Sequence, residues 1–184
     1  MHKHIKEILY TEEEIAARVK EIGEALTDKY SEVADMGEGV VLVSVLRGAA
    51  IFMADLARAT EIPIEMDYMA VSSYGNDVKS SGVVRIVKDL TASIEGKHVI
   101  IAEDILDSGL TLQFLLEYMK ARNPKSIEVV TLLRKDVPGQ ADITCLCEGF
   151  ACPNEFIVGY GLDYAERYRN LPFIGILKPE VYEK

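Results

Sequence analysis

The chain has 184 residues, the length of a single domain, with 20 Lys and Arg against 30 Asp and Glu, a formal net charge of −10. That balance argues against a surface that grips nucleic-acid phosphates or an anionic membrane, since both need an excess of Lys and Arg. Hydrophobic residues at 49% and charged residues at 27% exclude a disordered chain and leave material for a core.

In chain order, Met1-His2-Lys3-His4 leads into an acidic amphipathic segment that lacks the apolar region of a secretory signal. No charge-free stretch approaches the roughly 18 apolar residues of a spanning helix, so a cytoplasmic protein is the expectation. Thr11 with Glu14 reads as a capping box, and Ile15, Val19, Ile22 and Leu26 recur at helical spacing until residues 37–39 break the pattern. Residues 40–46 are a β-branched run of the kind buried on both faces of a parallel sheet, ended by Arg47-Gly48. A helix over 49–58, a strand over 62–71, a polar loop over 72–82 and a short strand over 83–87 follow. Residues 97–102 form the next strand, with Glu103-Asp104 at its carboxyl end. A helix starting near 109–111 turns Leu112, Leu115, Leu116 and Met119 inward until Asn123-Pro124 stops it, and residues 126–133 are a strand. Beyond Pro138 the pattern is irregular, with short apolar pieces at 143–146, 156–158 and 173–177. The alternation of strands and helices predicts an α/β domain with a mostly parallel central sheet flanked by helices.

Cys145, Cys147 and Cys152 are odd in number and share one short window, a poor disulfide framework. The histidines lie at positions 2, 4 and 98, so no fourth ligand completes a zinc site, and buried free thiols are expected.

Ligands of open α/β sheets bind outside the carboxyl ends of the strands. The richest such place is Glu103-Asp104-Ile105-Leu106-Asp107-Ser108-Gly109-Leu110-Thr111. Ser108, Gly109 and Thr111 offer hydroxyls and N–H groups around the positive end of a helix, a site for a monoester phosphate. Glu103 and Asp104 suit sugar hydroxyls, which need acceptors, or a Mg²⁺ that offsets a polyphosphate. Together they spell a sugar phosphate. No nucleotide-binding P-loop or complete dinucleotide fingerprint occurs.

This segment resembles the 5-phosphoribosyl 1-diphosphate (PRPP) motif of the type I phosphoribosyltransferases, in the hypoxanthine-guanine branch, and the likeness runs from about residue 40 to 176. The resemblance implies a single domain over 1–184. Its core spans about 36–137, and a small hood is built from the N-terminal segment and about 138–184. It implies that Glu103 and Asp104 hold ribose hydroxyls and Mg²⁺, that Asp107 acts as acid or base near purine N7, and that Ser108, Gly109, Leu110 and Thr111 bind the 5′-phosphate. Arg47-Gly48 resembles the pyrophosphate loop, often formed through a non-proline cis peptide, and Arg169 an arginine that contacts pyrophosphate. Lys135, taken alone a solvated lysine at a strand end, matches the donor to the 6-oxo group. Phe156 matches the aromatic that stacks on the base, Ile157 the carbonyl that accepts from a 2-amino group, and Asp163 an acid at the base site near a second Mg²⁺. Ser73-Tyr74 matches the start of a mobile loop. The implied partners are PRPP, a purine base, the nucleoside monophosphate and further copies of the chain as a homodimer or homotetramer, with neither nucleic acid nor membrane. Residues 147–154 depart from the commoner family wording, which leaves hypoxanthine, guanine and xanthine open as acceptors. A transferase for another base and a nucleotide-sensing regulator are the alternatives, the latter disfavoured by the acidic surface.

Overall fold

The computed structural model describes residues 2–73 and 84–183. Six strands form one sheet in the order β4-β3-β2-β5-β6-β7: β2 (Val40–Leu46), β3 (Glu65–Ser73), β4 (Val84–Lys88), β5 (His98–Leu106), β6 (Ser126–Lys135) and β7 (Cys147–Cys152). All neighbours are parallel except β4, which runs antiparallel to β3 at the edge. A second, antiparallel sheet has the order β1-β9-β8, from β1 (Ile5–Tyr10), β8 (Ile157–Val158) and β9 (Ile174–Leu177).

The β-branched run is buried on both faces, as parallel strands require. Val40 and Leu42 enter one core with Ile15, Val19, Ile22 and Leu26 of α1 (Glu12–Asp35) and Phe52, Met53 and Leu56 of α2 (Ala50–Ala59). Val41 and Val43 face the opposite way, into the core beneath Leu112, Leu115 and Met119 of α3 (Leu110–Lys120). The period-two alternation of strand side chains thus sorts one sequence run between two helical layers. At the start of α1, Thr11 Oγ1 accepts from the Glu14 N–H at 3.3 Å and the Glu14 carboxylate accepts from the Thr11 N–H at 2.8 Å, the expected capping box.

Four features differ from the expectations. The N-terminal segment is strand β1, paired antiparallel with β9 from Ile5↔Leu177 to Tyr10↔Ile174, a partnership without local signal. The strand expected at 62–71 begins at Glu65, past Pro63, which lacks the N–H that a ladder needs. β5 runs on to Leu106 because its pairing with β6 continues through Glu103↔Thr131 to Leu106↔Arg134, so the acids lie within the strand rather than beyond it. β7, drawn from the irregular region past Pro138, adds an edge to the large sheet. Gly149 permits it, because a Cβ there would lie 2.3 Å from the Leu132 carbonyl oxygen.

The order of the large sheet places the site. The chain steps from β2 outward to β3, then returns to β5 on the other side of β2. The carboxyl ends of β2 and β5 therefore flank a topological switch point, where a crevice opens.

The α1–α2 contact rests on Gly23, whose added Cβ would lie 2.4 Å from the Ala59 carbonyl oxygen. Alanine there gains about 1 kcal/mol of helix propensity, but overpacking costs about 1–3 kcal/mol. Gly23→Ala is expected to lower stability by about 1 kcal/mol in urea denaturation, whereas a stabilised variant would show that the helices separate freely.

Candidate active site

Three chain segments meet at the switch point in near-contact. The Leu46–Arg47 peptide is cis, and Gly48 follows. A Cβ on Gly48 would lie 1.9 Å from Asp104 Oδ2, and a Cβ on Gly161 would lie 2.1 Å from the Gly48 carbonyl oxygen. Gly161 has φ +102 and Gly159 φ +103, in a turn closed by reciprocal 3.0 Å bonds between the N–H and C=O groups of Gly159 and Leu162. Glycine is required at both because backbone crosses backbone there at left-handed φ.

Arg169 anchors this turn. Its Nη1 donates to the Gly161 carbonyl at 2.8 Å, while Nη2 lies 2.8 Å from Asp163 Oδ1 and 3.5 Å from Glu166 Oε2. Glu166 also takes Arg47 Nη2 on its other oxygen at 3.0 Å, so one carboxylate joins the two arginines. Asp163 Oδ2 accepts from the Glu166 N–H at 2.9 Å.

A cleft of about 620 Å³ opens beside these groups, and the ends of three parallel strands feed it. Arg47, Gly48, Asp104 and Asp107 line it from the switch point, Lys135 from the end of β6, and Phe156, Ile157, Asp163 and Arg169 from the small-sheet side. Lys135 Nζ stands 3.6 Å from Asp107 Oδ2, the lysine side chain 13% exposed and the aspartate 57%. Phe156 stacks on Tyr182 of the short helix α4 (Pro179–Tyr182) at 4.9 Å and meets Tyr164 edge-on at 5.4 Å.

Among the described residues, Glu103 and the run from Ser108 to Thr111 lie outside the cleft lining. Ser108 and Gly109 lead directly from Asp107 into α3, where Gly109 is the N-cap at φ +75 and Leu110 and Thr111 open the helix. Its first-turn N–H groups have no intrahelical acceptor, which leaves them free for an anion. Glu103 is recessed in β5 and does not line the cleft. Ser73 ends β3, and Tyr74 lies outside the described residues.

Burial pushes Asp104 up to about 6, against the pull of the Ile105 N–H and the Arg169 charge, while Asp163 adds to the rise. Burial, with Asp104 alongside, pushes Glu103 well above the ordinary carboxylate range. Neither acid has enough positive charge beside it to offset its burial, the condition a cation or a hydroxyl donor relieves. Asp104 and Asp163 present hard oxygen donors to the cleft, but among the described residues no cluster of three or more His, Cys, Asp or Glu forms a metal cage. Free Cys145, Cys147 and Cys152 all have thiol pKa values raised by burial, Cys145 to about 11, so none is an activated nucleophile.

The residues match the model of the phosphoribosyl transferase domain over 11–165. The chain belongs to the phosphoribosyltransferase family. Within it the resemblance is to the hypoxanthine-guanine branch. The hypoxanthine-guanine phosphoribosyltransferase of Bacillus subtilis is 53% identical over 184 residues, covering 100% of this chain and 99% of that protein. The bifunctional protein TilS/HprT of Listeria monocytogenes is 50% identical over 184 residues, and the chain spans only 28% of its length. A crystal structure of a hypoxanthine phosphoribosyltransferase from Staphylococcus aureus superposes with a TM-score of 0.93 at 48% identity, over 100% of this chain and 97% of that one. The type I phosphoribosyltransferase fold anticipated from the sequence is the fold observed.

Sequence reasoning missed Glu166, Tyr182 and Gln140, discussed below. Glu166 sits three residues past Asp163 in a run of left-handed residues, Ala165 at φ +49 and Glu166 at φ +63, which no turn motif announces. Tyr182 reaches the cleft from the far end of the chain, and nothing in its neighbourhood marks it.

Between pH about 4 and 6 the folded chain retains the Asp104 proton that the unfolded chain has already lost, so rising pH through that window lowers stability. Asp104→Asn keeps the acceptor for the Ile105 N–H without the charge. It is expected to stabilise the fold by about 3 kcal/mol at pH 7, an advantage that largely disappears near pH 4. Thermal unfolding at both pH values measures this; an equal effect at both would place the charge in open solvent.

Proposed function

We propose that this chain serves purine salvage by transferring the 5-phosphoribosyl group of PRPP to N9 of hypoxanthine or guanine, giving IMP or GMP and pyrophosphate, with xanthine as a further candidate acceptor. The observation that carries this reading is the recessed Lys135 ammonium 3.6 Å from the Asp107 carboxylate in the cleft that Phe156 lines. A 6-oxopurine matches that array: Lys135 donates to the 6-oxo oxygen, Asp107 takes the N7 proton, and Phe156 covers a ring face. The Ile157 carbonyl is assigned to a 2-amino group. Adenine would turn an amino group toward the lysine and leave two donors facing each other in a recessed site, a mismatch of several kcal/mol.

The sugar phosphate occupies the remaining assigned residues. The start of α3, with Ser108, Gly109, Leu110 and Thr111, holds the 5′-phosphate against the positive helix end. Glu103 and Asp104 accept from the ribose hydroxyls, which favours their ionised forms. The Gly48 main chain, Arg47 and Arg169 bind the diphosphate, which replaces Glu166 as the anion joining the two arginines. Ser73 and Tyr74 begin the segment assigned to cover the site.

Magnesium fits the donor set. Asp104 and Asp163 on the cleft wall, with Glu103 acting through water, supply hard oxygens too few for a closed cage, and Mg²⁺ is commonly held by one or two carboxylates together with substrate oxygens and water. When bound, the ion neutralises charge on the departing diphosphate. Purine N9 forms the new bond to C1′ as the bond from C1′ to the diphosphate oxygen breaks, and the N7 proton passes to Asp107. Positive charge accumulates on the ribose ring during this exchange, so exclusion of water by the closed cleft protects the product. No covalent enzyme intermediate is needed.

A cytoplasmic location belongs to the same proposal, and exposed apolar side chains such as Ile51, Met66 and Val87 are available for association into a homodimer or homotetramer. Light scattering is expected to give a multiple of the 20.4 kDa chain mass, and a single-chain mass would count against the assembly.

The direct test offers hypoxanthine, guanine, xanthine and adenine separately with PRPP and Mg²⁺. Nucleotide is expected from 6-oxopurines and not from adenine. Asp107→Asn is expected to lower kcat about a hundredfold or more, with the KM for PRPP little changed. Turnover of adenine, or an unaffected variant, would sink the assignment.

A further inference from the structure

The last rung of the β5–β6 ladder is Leu106↔Arg134, so Asp107 and Lys135 both lie one residue past the backbone pairing that could fix their separation. A side chain supplies the missing rung. The Gln140 carboxamide sits between the two strand ends, and its Nε2 donates to the Lys135 carbonyl at 2.7 Å and to the Asp107 carbonyl at 2.5 Å, with the Leu106 carbonyl at 3.3 Å. Its Oε1 accepts from Arg134 Nη2 at 3.3 Å, and Arg134 is itself held by Glu148 at 2.5 Å and by the Ile143 carbonyl at 3.3 Å. The neighbouring Ala141 N–H donates to the Ser108 carbonyl at 2.9 Å, which pins the same segment against the turn leading into α3.

From this geometry we infer that Gln140 is a positioning residue for base recognition, setting the distance between Asp107 and Lys135 without touching either side chain. The inference rests on the proposed purine reading of that pair. Glutamine suits the task because one planar amide offers two N–H groups to carbonyls on different strands and an oxygen to a guanidinium. Glutamate would set a carboxylate against three carbonyl oxygens, and methionine keeps the length but offers neither donor nor acceptor of comparable strength. Arg47, Gly48 and Arg169 belong to other segments, cross-linked through Glu166 and the Gly161 carbonyl, and the Ser108 turn keeps its main-chain bond from Ala141 whatever side chain residue 140 carries, so the PRPP side of the cleft does not depend on this rung.

A purely structural role would weaken both substrates alike, while a positioning role falls on the base. In the 184-residue chain, Gln140→Met is expected to lower kcat/KM for hypoxanthine about tenfold, a change of about 1.4 kcal/mol, with the KM for PRPP within about twofold of the parent. Gln140→Glu is expected to lose at least as much, and it carries the test alone should the methionine variant fail to fold. Thermal unfolding of each variant accompanies the kinetics. Unchanged kinetics, or parallel losses toward PRPP and base, would overturn the inference while leaving the purine reading intact. A parent chain inactive with every purine base would overturn that reading and this inference together.

Discussion

The space at Gly48 governs how the site is built. An Asp104 oxygen occupies the volume that any side chain at residue 48 would need, and the Gly48 carbonyl in turn occupies the volume denied to residue 161. Strand β5, the turn after β2 and the turn after β8 are therefore stacked at backbone thickness. The large sheet and the small sheet meet at this stack, and the cleft is the gap left beside it. Any Cβ inserted there would push the acid of one segment away from the arginine of another, so local sterics and site electrostatics are one constraint.

The electrostatics follow from that compression. Asp104 and Glu103 are drawn out of water by the layers around them and lack a full set of counter-charges, while Arg47 and Arg169 share a carboxylate that a bound anion can replace. On the proposed function, this is how a chain with net charge −10 recognises a polyanion. At physiological salt the Debye length is about 8 Å, so surface carboxylates beyond that range count for little beside the donors aimed into the cleft.

What could be read from the amino-acid order was what depends on near neighbours. Thr11 and Glu14 form their box within one helical turn, and residues 40–46 reveal two-sided burial through composition alone. The acids and the Ser108-Gly109-Leu110-Thr111 turn are legible because strand end and helix start are contiguous. Distance along the chain hid the remainder. β1 is a strand only because β9 lies beside it, β7 exists through a ladder to β6 and a glycine that lets backbone approach backbone, and Gln140 acquires its meaning from carbonyls on two other strands. The polarity of Glu103-Asp104 suggested that β5 had already ended, yet continued pairing with β6 outweighed it.

The pairing of β1 with β9 orders events during synthesis. A ribosome delivers Ile5–Tyr10 long before the strand it needs, Ile174–Leu177. Until then β1 is an unpaired edge, a template that could recruit a foreign strand. The large sheet through β7 can assemble while this edge waits, so the strand ends that carry Asp104, Asp107 and Lys135 are in place before Phe156, Ile157, Asp163 and Arg169 reach the cleft. The long sequence separation of that one ladder makes closure of the small sheet the entropy-limited step, and for an interval the nascent chain carries one wall of the cleft without the other.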